Sequence, residues 1–216
     1  MVSNDYLIRK EQHMSTYLLP TAMGYLLGCL SPSAFFSMVK KKDVSKQGTG
    51  NLGATNTMLV LGKKYGVLVM ILDIFKSYFA VRLARRLFPA LSVAGLVAGA
   101  AAVIGHIFPF YLNFRGGKGL ATLGGLILGL DPILFPILLT AGLAAMFVIN
   151  VGYAMPVTAA ALFPILYGLH RRSVPEFLIA AFVGGLIVYQ NVKSIKSITT
   201  AGKTDVRAYL RKMIKR

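Results

Sequence analysis

The amino-acid sequence predicts an all-α integral membrane protein of about seven transmembrane helices, N-terminus outside and C-terminus cytoplasmic. Three observations predict it. The 216 residues are 56% hydrophobic and only 14% charged, with a mean hydropathy of +0.65, well outside soluble usage. The apolar residues form nearly continuous runs rather than the period-two alternation of barrel strands, so helices are the spanning element. Lys and Arg gather in short segments between those runs, and their distribution gives an orientation.

Charged or Gly/Pro boundaries mark the runs at about 15–39, 65–87, 91–112, 119–130, 133–150, 154–170 and 175–191, against the roughly 20 residues needed to cross about 30 Å of hydrocarbon. The fourth run is short, and Asp131-Pro132 separates it from the fifth, so five or six spans with re-entrant pieces is the competing count. Residues 1–192 read as a single multi-helix domain, with an uncleaved first span and motif loops at 40–64 and 113–119. Residues 193–216 read as a basic cytoplasmic tail, in which Val206, Tyr209, Leu210 and Met213 stand at the spacing of a surface amphipathic helix.

With seven spans, one face receives Lys40, Lys41, Lys42, Lys46, Lys63, Lys64, Arg115, Lys118 and the basic tail. The other receives Arg9, Lys10, Arg82, Arg85, Arg86, Arg171 and Arg172. The richer face is the expected cytoplasmic one. The net charge of +17 sits in short loops rather than on a soluble domain, which argues against nucleic acid and for anionic headgroups and phosphorylated substrates. The lone Cys29 rules out a disulfide within the chain.

The first cytoplasmic loop reads Gly48-Thr49-Gly50-Asn51-Leu52-Gly53-Ala54-Thr55-Asn56. Its three glycines fit the dinucleotide pattern literally, but the strand and helix that give that pattern meaning are absent. The physical content survives: glycine lets the backbone approach a ligand, successive amides form anion nests, and a helix N-terminus follows. A flexible turn is the competing reading, and it leaves the Thr and Asn residues unexplained. The second loop, Phe114-Arg115-Gly116-Gly117-Lys118-Gly119, repeats the combination. Arg115 can take a phosphate in bidentate fashion and Lys118 can present its ammonium between glycines. Positive-inside bias alone would explain Arg115 but not the Gly-Gly-Lys-Gly run.

Inside the second run, Asp73 and Lys76 stand at i and i+3. Intramembrane charges are costly, so they form either a structural ion pair or part of an active site. His106 reads as a hydrogen-bonded core residue, because no ligand set at metal spacing accompanies it; no metal and no coenzyme is expected.

Five blocks stand in one order: Gly48-Thr49-Gly50-Asn51-x-Gly53-Ala54-Thr55-Asn56, Leu61-Gly62-Lys63-Lys64-x-Gly66, Leu72-Asp73-x-x-Lys76, Gly105-His106-x-x-Pro109 and Gly116-Gly117-Lys118-Gly119-x-Ala121-Thr122. Together, over roughly residues 24–135, they resemble the bacterial acyl-phosphate:glycerol-3-phosphate acyltransferases, the PlsY family. The resemblance implies a seven-helix enzyme of the bacterial cell membrane, its active site facing the cytoplasm, that moves a fatty acyl group from acyl phosphate to the sn-1 hydroxyl of glycerol 3-phosphate. By position it implies catalytic roles for Lys118, Thr49 and Asn51. It also implies phosphate contacts from Gly48, Gly50, Gly53, Thr55, Asn56, Arg115, Gly116, Gly117 and Gly119, with Asp73, Lys76, His106 and Asn191 in support. The sequence departs from the family pattern at Ser45 and Leu59, where arginines are usual, and at Asn191, the nearest position to a usual histidine. Those departures leave room for a paralogue with another acceptor, or for a non-catalytic relative that binds lipid phosphates. A transporter of anionic metabolites is the rival from another class; repeat symmetry or helices broken at mid-bilayer would mark it, whereas these motifs lie at loops.

Overall fold

The computed structural model describes the backbone of residues 2–198 and the side-chain surroundings of residues 16–192. Among these residues every regular element is a helix: α1 (Val2–Cys29), α2 (Pro32–Val39), α3 (Ala54–Leu61), α4 (Lys63–Leu87), α5 (Ala94–Ile107), α6 (Leu120–Leu130), α7 (Leu134–Ile149), α8 (Ala154–Arg171) and α9 (Val174–Ile198), with 3-10 turns at Val44–Lys46 and Phe110–Leu112. Each of the seven apolar runs carries a helix. Among the described residues, three segments are both long and apolar enough to cross a membrane, Thr16–Val39, Ala94–Leu112 and Val174–Val192, while Leu120–Leu130 and Leu134–Ile149 are apolar but shorter. The expected basic tail lies outside the described residues beyond Ile198.

The first apolar run is not one helix. Ser31-Pro32 interrupts it: Pro32 has no amide to continue α1 and is well suited to the first turn of a new helix. Ser31 caps α2, its side chain accepting from the Ala34 amide at 3.3 Å. Because Ala34 is taken by that cap, the Leu30 carbonyl loses its helical donor. It accepts from Lys76 instead, and the break draws its partners from distant parts of the chain.

The chain packs as two compact units, one through Leu130 and the other from Asp131 onward. In the first, α1 lies against α5 and α4 against α5 and α6. Small residues set the approach: a Cβ at Gly28 would strike the Ala102 carbonyl, and one at Gly105 the Tyr25 carbonyl, the close backbone contact that small residues permit between membrane helices. Arg85 in α4 donates to the Gly129 and Leu130 carbonyls at 3.1 and 3.2 Å, satisfying the C-terminal end of α6. In the second unit α8 packs between α7 and α9 around Leu138, Phe163, Val183 and Ile187. Buried Glu176 accepts from the Tyr167 hydroxyl at 2.8 Å and Arg171 Nε at 3.1 Å, which closes the α8–α9 turn.

Candidate active site

The first motif loop is wound tightly on itself. Gly48 and Gly50 adopt φ of +61° and +71°, the left-handed region that disfavours other residues. Asn56, at the start of α3, is buried and holds the turn from inside. Its Oδ1 accepts from the Thr49 amide at 2.7 Å, and its Nδ2 donates to the Val44 and Gln47 carbonyls at 2.9 and 3.1 Å. That set uses both of its amide protons, so Asn56, expected among the phosphate contacts, instead braces the loop. The anion-nest expectation is narrowed in the same way, since the Thr49 amide is committed to Asn56 and the Gly50 amide donates to the Gln47 carbonyl at 3.0 Å.

The donors left facing outward are the exposed Thr49 hydroxyl, the half-buried Asn51 side chain, exposed Thr55 and the first-turn amides of α3, which have no carbonyl four residues back in their own helix. The first helical bond of α3 runs from the Thr57 amide to the Gly53 carbonyl at 3.0 Å. No side chain caps Gly53, so an anion can occupy that N-terminal position. Exposed Ser45, one of the departures, donates from its amide and hydroxyl to Asp43 Oδ1 at 2.9 and 2.6 Å, and these bonds hold the Asp43 carboxyl below the usual range. Leu59, another departure, is exposed on α3.

Gly48 and Gly50 separate two kinds of glycine requirement. A Cβ at Gly48 would overlap Asn56 Oδ1, whereas one at Gly50 would meet only the Ser45 carbonyl, at 3.3 Å. Both alanine variants carry the cost of a left-handed residue, about 1–2 kcal/mol, but only Gly48→Ala also displaces the brace. Hydrogen–deuterium exchange should show fast exchange at the Thr49 amide in Gly48→Ala and near-native protection in Gly50→Ala.

The second motif loop folds back onto the end of α5. Asn113 and Phe114 take φ of +52° and +56° to reverse the chain, after which the Gly116 and Gly117 amides donate to the Ile107 and His106 carbonyls, both at 3.0 Å. A Cβ at Gly116 would collide with the His106 carbonyl and one at Gly117 with the His106 ring, so this Gly-Gly pair serves close packing rather than presenting its own amides to a ligand. Gly119 (φ +90°) starts α6, its carbonyl accepting from the Leu123 amide at 2.8 Å and from buried Thr122 Oγ1 at 2.9 Å. Lys118 is half-buried between these glycines, and burial pulls its pKa below the ordinary lysine value. Arg115 is exposed beside it.

Beneath the second loop lies a buried charged cluster. Lys76 Nζ is 2.8 Å from Asp73 Oδ1 and 3.0 Å from His106 Nδ1, and donates to the Leu30 carbonyl at 2.7 Å. His106 Nδ1 is 3.3 Å from Asp73 Oδ1. Asp73 and Lys76 are therefore the ion pair that their spacing allows, and His106 joins it through tertiary packing. Asn191 lies in the second unit, buried in α9, with Nδ2 donating to the Ile187 carbonyl at 2.8 Å. Among the described residues no group of His, Cys, Asp and Glu could hold a metal ion.

Sequence reasoning missed Ser33, Thr57 and Tyr111. Ser33 and Thr57 hydroxyls meet at 2.7 Å, fully buried, and Tyr111 donates to the Cys29 carbonyl at 2.9 Å. Ser31-Pro32, a cap followed by a first-turn proline, carried the signal for the break; nothing local paired it with residues 24 to 82 positions away.

Membrane-spanning helices with two glycine and basic loops, one after α2 and one after α5, define a multi-pass membrane protein. The model of the family described as glycerol-3-phosphate acyltransferase matches residues 18–201. A glycerol-3-phosphate acyltransferase 1 of Deinococcus radiodurans is 36% identical over 85% of this chain and 92% of its own length. A glycerol-3-phosphate acyltransferase of Macrococcus caseolyticus is 44% identical over 120 residues, 54% of this chain, and that match spans only 59% of the relative's length. Crystal structures of PlsY, an integral membrane glycerol 3-phosphate acyltransferase, in its glycerol 3-phosphate and lysophosphatidic acid forms superpose with TM-scores of 0.79 and 0.77 at 29% identity, covering 88% of this chain and 94% of that one. The chain belongs to the glycerol-3-phosphate acyltransferase family.

Proposed function

We propose that this chain transfers a fatty acyl group from acyl phosphate to the sn-1 hydroxyl of glycerol 3-phosphate, releasing inorganic phosphate and lysophosphatidate, at the cytoplasmic face of a bacterial cell membrane. The observation that supports the reading is that two glycine and basic loops lie in one compact unit, in a chain whose relatives are named glycerol-3-phosphate acyltransferase. Acyl phosphate is an activated mixed anhydride. The protein therefore has to hold two anions with the acceptor oxygen near the carbonyl carbon and to stabilise the charge that develops on the carbonyl oxygen and departing phosphate. Neither a covalent nucleophile nor a redox group is needed.

In this reading Thr49, Asn51, Thr55 and the α3 N-terminus hold phosphate at the first loop, while Lys118 and Arg115 supply positive charge at the second. The acceptor hydroxyl attacks the acyl carbon, the carbon–oxygen bond to phosphate breaks, and the departing phosphate takes up the proton that the hydroxyl gives up. The acyl chain lies among the lipid-facing helices. The basic loops face the cytoplasm by their Lys and Arg content.

Purified protein in detergent, given acyl phosphate, should release phosphate at a rate that saturates with glycerol 3-phosphate. Release independent of glycerol 3-phosphate would point to another acceptor, and no release above a protein-free control would overturn the enzymatic reading.

A further inference from the structure

Both motif loops are tied to the helix break at Leu30–Ser33 and to the Cys29 carbonyl just before it. On one side, Ser33 Oγ meets Thr57 Oγ1 at 2.7 Å, and Thr57 Oγ1 donates to the Gly53 carbonyl at 3.0 Å. With the Thr57 proton on Gly53, Ser33 is the donor of the pair. Gly53 is the residue at which the first loop enters α3, so Ser33 reaches that entry through Thr57. On the other side, the Tyr111 hydroxyl donates to the Cys29 carbonyl at 2.9 Å and receives the Ser31 amide at 3.3 Å. Lys76 donates to the Leu30 carbonyl while contacting His106, against which Gly117 packs. Three backbone groups at the break, the Cys29 and Leu30 carbonyls and the Ser31 amide, are thus spent on links toward the second loop, and the Ser33 side chain supplies the link toward the first. A continuous helix through residues 29–34 would have none of these backbone groups to give, because its carbonyls would bond its own amides.

Ser33 and Thr57 have no exposed surface, so neither can touch a substrate that enters from solvent or lipid. We propose that the Leu30–Ser33 break is a positioning element: it fixes the separation between the two anion loops, and through Ser33 and Thr57 sets turnover rather than affinity. The proposal rests on the reading of the loops as the two halves of one acyl-transfer site. Each loop keeps its own ligand contacts when the spacing loosens, so ground-state binding persists while the alignment of acceptor oxygen and acyl carbon is lost.

Two measurements test it on the full-length protein. In steady-state kinetics, Ser33→Ala and Thr57→Val should each lower kcat about 10-fold with KM for acyl phosphate and for glycerol 3-phosphate within about 2-fold, and Thr57→Ser, which keeps the hydroxyl, should restore kcat. A merely structural role would instead lower the folded fraction and leave kcat per folded molecule unchanged. Separately, spin labels at Lys46→Cys and Phe110→Cys on a Cys29→Ala background report the distance between the loops without any turnover. The distribution should be narrow in the otherwise unaltered protein and in Thr57→Ser, and broad in Ser33→Ala and Thr57→Val. Equal distributions in all four would overturn the proposal, as would a rise in one KM at unchanged kcat. If the unaltered protein shows no turnover with glycerol 3-phosphate, the substrate reading fails while the distance measurement still decides the positioning role.

Discussion

Lys118→Ala is expected to reduce kcat by about 10²- to 10³-fold, the size of effect seen when a single preorganised donor to developing charge is removed, with a smaller rise in KM. The residue sits on the reversal that begins with two left-handed residues, Asn113 and Phe114, and ends on the positive-φ Gly119 that opens α6. Its backbone is therefore fixed on both sides, and a side chain held in place stabilises charge without reorganising during the reaction. Lys118→Arg keeps the charge but spreads it over a planar fork that suits bidentate contact with one oxyanion, so partial activity is expected.

The same residue gives the pH dependence a sign. Burial lowers the Lys118 pKa, so the ammonium is fully charged well below that value and is lost as pH rises through it. The profile of kcat/KM, which reports the free enzyme, should therefore fall on its alkaline side before an ordinary lysine would titrate. In Lys118→Arg that limb should move to higher pH or vanish. An alkaline limb at the same position in both proteins would assign it to another group.

How much of this could be read in the sequence depends on whether a feature is local. The seven apolar runs announce themselves by composition, and each carries a helix, because a segment in lipid must satisfy its own backbone. The two motif loops were legible because glycine at a tight turn and lysine beside it are local requirements. Asn56 reads as a ligand in the sequence because its neighbours along the chain are loop residues. Only the folded turn shows that its amide faces Val44, Gln47 and Thr49. The i, i+3 pairing of Asp73 with Lys76 was visible for the same local reason, whereas His106 and the Leu30 carbonyl reach Lys76 from 30 and 46 residues away. Such contacts depend on how close α1 and α5 approach, which glycines at 28 and 105 permit but do not specify.

The largest stability effect is expected at that cluster. Lys76→Met leaves the Asp73 carboxylate buried without its ammonium partner, and removes the donor to the Leu30 carbonyl. Breaking one side of a buried ion pair costs about 3–5 kcal/mol, whereas replacing both sides is often close to neutral. Asp73→Asn combined with Lys76→Met should therefore be more stable than Lys76→Met alone, despite carrying one more substitution. Part of the loss should remain in the double variant, because the Leu30 carbonyl still lacks its donor. Unfolding measured in lipid bicelles for the wild type, both single variants and the double variant closes a thermodynamic cycle on the pair. A double variant no more stable than Lys76→Met would mean that Lys76 acts chiefly through Leu30 and His106, and that the carboxylate at residue 73 contributes little to holding α4 against the ends of α1 and α5.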